Sequence, residues 1–112
     1  MLSIDGTTIR LTRGDTLEAK VKILVKDLGD QYVPGPGDVI RFALKSRYRD
    51  EEPLIIKAIP NDSLILRLES ADTKKLKARK RPYVYDIELT TASGTVDTFI
   101  DRALFYVTEE VV

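Results

Sequence analysis

The chain has 112 residues, with 18 basic and 18 acidic side chains and a formal net charge of zero. This length fits a single domain, and the neutrality lacks the basic excess of a nucleic-acid binder. With no Cys and no His, disulfides, thiolate metal sites and the usual histidine-based triads and dyads are excluded.

No S-x-x-K, Walker loop or G-x-G-x-x-G occurs, so the familiar nucleophile and phosphate motifs are missing. Two carboxylates would suffice for a glycosidase, but the chain has no Trp to stack on a sugar. The expectation is a protein that is not an enzyme and uses no cofactor or metal. No apolar run approaches the ~20 residues of a membrane span, and MLSIDGTTIR lacks a signal peptide's apolar centre. The chain is therefore expected to be complete from Met1, cytoplasmic on synthesis and without a membrane partner.

Strand Thr8–Thr12 comes first and leads into Arg13-Gly14-Asp15, a tripeptide known as an integrin-binding signal. An adhesion role needs a mobile, exposed tip. The structural reading puts Gly14 at positive φ in a turn, with Asp15 accepting backbone hydrogen bonds and Arg13 dispensable for folding. Alternating strands on both sides favour the turn.

From Leu17 the odd positions read Leu17, Ala19, Val21, Ile23 and Val25, and the even ones Glu18, Lys20, Lys22, Leu24 and Lys26. That is a strand with one dry face. "DLGDQYVPGPGD" is a turn and loop. "VIRFALKS" buries Ile40, Phe42 and Leu44 and exposes Arg41, Ala43 and Lys45. "RYRDEEP" is a charged connection. "LIIKAI" and "SLILRL" read as a hairpin about Pro60-Asn61-Asp62. Only "ESADTKKLKARKR" favours a helix: Ser70 or Asp72 could cap a single turn anchored by Leu76, crossing from one sheet to the other. "YVYDIELT" alternates again, with Tyr83, Tyr85, Ile87 and Leu89 inward, and Ala92-Ser93-Gly94-Thr95 makes a hairpin turn. In the last strand Val96, Thr98 and Ile100 share one parity and Ala103, Phe105 and Val107 the other. One bulge at Asp101-Arg102 would reconcile them. About seven short strands with regularly spaced turns define an all-β, antiparallel sandwich over residues 1–112, with at most one short helical turn near residues 70–77.

Several clusters invite a functional reading. Lys74, Lys75, Lys77, Arg79, Lys80 and Arg81 could meet phosphates, but no aromatic is interleaved for base stacking, so a solvated corner or a docking surface for an acidic partner is expected. Asp27, Asp30, Asp38 and Asp50-Glu51-Glu52 have no EF-hand spacing. The expected partner surface is "PLIIKAI", an edge strand limited by Pro53 and Pro60. Leu54, Ile55, Ile56 and Ile59 cannot all face one core, which leaves Leu54, Ile55 and Ile56 for a partner. Tyr32 and Tyr48, in polar loops, join them as interface candidates.

The segments "TIRLTRGDT", "GDVIRFALKS", "LIIKAI", "ADTKKL", "YVYDIEL" and the closing "GTVDTFIDRALFYVTEEVV" occur in an order that resembles small structural tail and baseplate proteins of Gram-positive phages and prophages. The similarity is to the N-terminal immunoglobulin-like domain of baseplate upper proteins. It covers nearly the whole chain, through Gly14-Asp15-Thr16, Tyr83, Tyr85, Asp86, Ile87, Leu89 and the pair Asp97-Thr98. It implies an immunoglobulin-like sandwich, no catalytic residue, contacts with other tail proteins or with a second copy, and a place in the virion. "ADTKKL…YVYDI" also resembles the turn entering strand F of immunoglobulin sandwiches, with Tyr85 as the corner tyrosine and Ile87 at the half-cystine position. The alternative function is a binding module for carbohydrate or a cell-surface receptor.

Overall fold

A computed structural model describes residues 3–5, 7–23, 32–50 and 52–109. The expected continuation of the alternating strand through Val25, and the acids Asp27, Asp30 and Glu51, lie outside them.

Among the described residues eight strands and one helix follow in the order β1 (Ser3–Asp5), β2 (Thr8–Thr12), β3 (Leu17–Lys20), β4 (Val39–Lys45), β5 (Ile55–Ile59), β6 (Ile65–Leu68), α1 (Ser70–Lys74), β7 (Tyr83–Thr90) and β8 (Val96–Thr108). They form a six-stranded sheet, β1-β2-β8-β7-β4-β5, and a two-stranded sheet, β3-β6. This is an immunoglobulin-like sandwich: β3 and β6 stand where strands B and E do. In the larger sheet β4, β7 and β8 stand as C, F and G, with β5 beside β4 as C′ is beside C. One pair departs from the antiparallel expectation. β2 runs parallel to β8, with Ile9 opposite Phe105 and Leu11 opposite Val107.

The period-two alternation does what it promises, because it gives each strand one face for the core. Val21, Ile23, Phe42, Leu44, Leu66, Tyr85, Ile87, Leu89 and Phe105 are all buried. Phe42 and Tyr85 meet with ring centroids 5.3 Å apart, and Tyr85 meets Phe105 edge-on at 6.3 Å.

Three connections differ from expectation. Pro60-Asn61-Asp62 does not close a hairpin, since β5 and β6 belong to different sheets. The Leu64 N–H returns to the Pro60 carbonyl at 2.9 Å, and Leu64 at φ 55° turns the chain across the sandwich. The helix that crosses back is capped by Glu69 and not by Ser70 or Asp72. Asp72 instead reaches back to accept the Glu69 N–H at 2.9 Å. In β8 the expected bulge is present, opposite Asp86, and Arg102 sits there at φ 55°. A second irregularity between Ile87 and Glu88 puts Ile100 opposite Ile87 but Thr98 opposite Glu88. Val96, Thr98 and Ile100 therefore do not share a face.

The corner tyrosine is Tyr83. Its hydroxyl accepts from the Lys77 N–H at 2.8 Å and donates to the Lys77 carbonyl at 3.3 Å. Tyr85 reaches elsewhere, donating to the Thr7 carbonyl, and so it is Tyr85 that takes the half-cystine position, two residues on.

Candidate functional site

The turn after β2 settles what Arg13-Gly14-Asp15 does locally. Gly14 has φ 90°, the left-handed region that favours glycine. The Asp15 N–H closes the turn on the Thr12 carbonyl at 3.0 Å, and the Asp15 carbonyl accepts from the Thr73 hydroxyl at 2.8 Å. Arg13, expected to be dispensable, is engaged: its guanidinium donates to the Leu76 carbonyl at 2.9 Å and the Lys74 carbonyl at 2.7 Å. A cation that satisfies carbonyls at a helix end is committed to the fold.

The basic run is also less uniform than a solvated corner. Arg79 donates to Ser46 Oγ at 3.0 Å and the Ser46 carbonyl at 2.9 Å, and its guanidinium lies 3.7 Å over the Tyr83 ring. Lys74, Lys75, Lys77, Lys80 and Arg81 are exposed. Among the described residues no three His, Cys, Asp or Glu gather where they could hold a metal ion.

The predicted partner residues fall into three settings. β5 is an edge strand, and β4 lies on its inner side. Ile55 pairs with Leu44 and is only 6% exposed, so it belongs to the core and is withdrawn from the partner surface. Leu54 and Ile56 have the opposite parity and are 54% and 55% exposed. Tyr48 is 48% exposed, with the Arg102 guanidinium 4.5 Å from its ring centroid. Arg102 donates its N–H to Asp86, which stands opposite Ala43 in the same ladder row as Ile56. Leu54, Ile56 and Tyr48 are therefore the exposed members, the first two at the β5 edge and Tyr48 against Arg102 of β8, three strands away.

Tyr32 lies apart from them, near the start of β4. Its hydroxyl donates to Asp38 Oδ2 at 2.6 Å, and the same oxygen accepts the Gly35 N–H at 3.0 Å. Asp38 Oδ1 accepts the Ala92 N–H, and Asn61 Nδ2 donates to the Gly35 and Asp38 carbonyls. The Tyr32 hydroxyl, with the Gly35 N–H, holds the Asp38 carboxyl below its ordinary value, and the bond to Asp38 in turn raises the tyrosine. Tyr32 is a loop clasp, not part of the same surface.

Beside Ile56 the outer face holds a depression of about 310 Å³, walled by Pro53 and Ile56 and by the charged Arg41, Lys45, Asp86 and Glu88. Arg41 stands opposite Glu88, and Ala43 opposite Asp86. Opposite charges facing across a ladder steady both chains, and the small Ala43 leaves room between them. The sequence marks Arg41, Ala43 and Lys45 as outward. That Asp86 and Glu88 face them follows only from the β4–β7 register. The arrangement has an apolar rim beside a mixed-charge floor, which suits contact with a protein surface. No family model, curated protein or solved structure matches the chain.

Proposed function

We propose that this chain is a non-enzymatic structural protein that acts through protein–protein contacts as a component of a phage or prophage tail or baseplate. The observation that supports the reading is the exposed Leu54–Ile56 rim on an edge strand, beside the mixed-charge depression, with the exposed Tyr48 farther along the same sheet. Aromatic and apolar side chains ringed by polar ones are the usual make-up of a contact patch. The resemblance of the ordered sequence segments to baseplate domains supplies the biological setting.

The test is localisation in the native host. A short tag fused to the chain should appear in tail particles purified after prophage induction and be visible on them by immunogold electron microscopy. Ile56→Lys should fold normally and lose that incorporation. A tag that remains wholly in the free-protein fraction overturns the reading. Specific glycan-array binding at micromolar strength would put the carbohydrate-binding module in its place.

A further inference from the structure

The sheet edges of this sandwich are not equally protected. β5 is bounded by Pro53 and Pro60. Its inward-facing Lys57, paired with Asp72 at 3.0 Å, is the kind of charge that blocks edge-to-edge growth. β1 has three residues, and short edges are poor templates. Beside β6 the Ile65 N–H is taken by Ser63 Oγ at 3.4 Å.

β3 has none of these devices. Among the described residues its one ladder partner is β6, and its inward residues Leu17, Ala19 and Val21 carry no charge. The Val21 N–H bonds to the Leu64 carbonyl at 2.7 Å, which sets the phase of the ladder. The odd residues turn their backbone groups towards β6, and Glu18, Lys20 and Lys22 turn theirs to the open edge. Beneath that edge the space between the sheets opens as a groove of about 490 Å³. The five consecutive residues from Glu18 to Lys22 line one wall, and Ile9, Tyr85, Ile87 and Ile100 line the other. Because successive side chains point to opposite faces, a wall of consecutive residues is a backbone edge. In the immunoglobulin arrangement strand A lies there; here β2 pairs with β8 in the opposite sheet.

We propose that the β3 edge is a self-association site at which a second copy of the chain pairs its own β3 antiparallel about a two-fold axis at Ala19. In that register Glu18 faces the second copy's Lys20, and Lys20 faces its Glu18. Leu17 faces Val21, and the two small Ala19 side chains meet at the centre. Residues 18 and 20 fall in hydrogen-bonded positions, so their outward N–H and C=O groups are satisfied. Moving the axis to Lys20 keeps the hydrogen-bond phase but sets Lys20 against Lys20, so the charge pattern selects the Ala19 register. A contact confined to one strand falls below the roughly 1,200 Å² of lasting complexes, and the dimer is accordingly concentration-dependent. The inference rests on the assembly reading above, since a protein that works through protein contacts has use for such an edge, but the two fail separately.

Sedimentation equilibrium of the full chain, from micromolar to millimolar concentration, tests it. The wild type forms a reversible dimer. Lys20→Pro removes an N–H that points to the open edge, leaves the β3–β6 bonds in place and abolishes the dimer. Glu18→Lys and Lys20→Glu each set like charges opposite one another and weaken self-association at least about tenfold. An equimolar mixture of those two variants dimerises again, because every Lys then faces a Glu. Circular dichroism matching the wild type establishes that the charge variants fold. The proposal is overturned by a wild type that stays monomeric throughout, by a dimer that all three substitutions leave unchanged, or by a mixture that does not associate. None of these outcomes bears on incorporation into tail particles. A dimer that never enters such particles would overturn the tail reading alone.

Discussion

Replacing Arg13 with Ala should measurably destabilise the fold, although sequence logic alone makes Arg13 a free turn residue. Its guanidinium makes two contacts with the end of α1, at 2.9 Å to the Leu76 carbonyl and 2.7 Å to the Lys74 carbonyl. A helix of five residues leaves its last carbonyls without intrahelical donors, so their partner must come from outside. Hydrogen bonds from a charged donor contribute about 1.5–3 kcal/mol each. The Lys74 contact is exposed, and water replaces most of it when the side chain is removed. The part-buried Leu76 contact then carries the loss, and about 2 kcal/mol is expected in all. For a domain of this size that lowers Tm by roughly 8–10 °C. Urea denaturation should show a lower midpoint with an unchanged slope. Arg13→Lys should recover less than half, since an ammonium lacks the planar fork that reaches both carbonyls. An Arg13→Ala midpoint within about 0.5 kcal/mol of wild type, the range of ordinary surface changes, would refute the argument.

The remaining expectations can be checked with the same measurements. Gly14→Val should cost about 1–3 kcal/mol in urea melts, because a β-branched residue is strained at φ 90°. Ile55→Lys should unfold the chain by placing an unpaired charge in the core, whereas Ile56→Lys should leave the melt within about 0.5 kcal/mol of wild type; equal effects would mean that the β5 register is wrong. Tyr83→Phe should cost about 1–3 kcal/mol by stripping the Lys77 backbone of its partner. Burial pushes the Tyr85 hydroxyl from 10.0 up to about 12. The stability linked to it is fully present below the unfolded value and is lost as pH rises through the folded one. An alkaline titration comparing the wild type with Tyr85→Phe by tyrosine absorbance should show Tyr85 ionising late, together with unfolding, and its ionisation near 10 in a folded chain would contradict the burial.

Much of this fold could be read from the chain because its strands alternate cleanly. Phe42, Leu44, Ile87 and Leu89 each sit at the parity that buries them, and Gly14 and Gly94 mark turns that need positive φ. The failures lie where two arrangements share one local signature. Pro60-Asn61-Asp62 looks the same whether the chain returns to its own sheet or crosses, and the left-handed residue that decides it is Leu64, not a glycine. "LIIKAI" offers apolar residues at both parities, so only its pairing with Leu44 and Ile40 puts Ile55 inside. Tyr83 and Tyr85 share a face, and which of them reaches the corner depends on where Lys77 lies. The outer-face surface was half legible: alternation exposes Arg41 and Lys45, but their acidic neighbours come from a strand over 40 residues away in sequence.

The parallel pairing of β2 with β8 also governs the order in which this chain can be made. Ile9 finds its partner at Phe105, so β2 waits until β8 has been made. β4, near the middle of the larger sheet, likewise waits for β7. Local pairs such as β4–β5 can form early, whereas β3–β6, like β4–β7, joins distant segments, and such contacts are slow to close. Folding of this domain is therefore completed only when β8 slots between two strands that have waited for it. A chain halted before residue 96 would hold β2 and β7 with unpaired edges, the condition in which nascent β proteins aggregate.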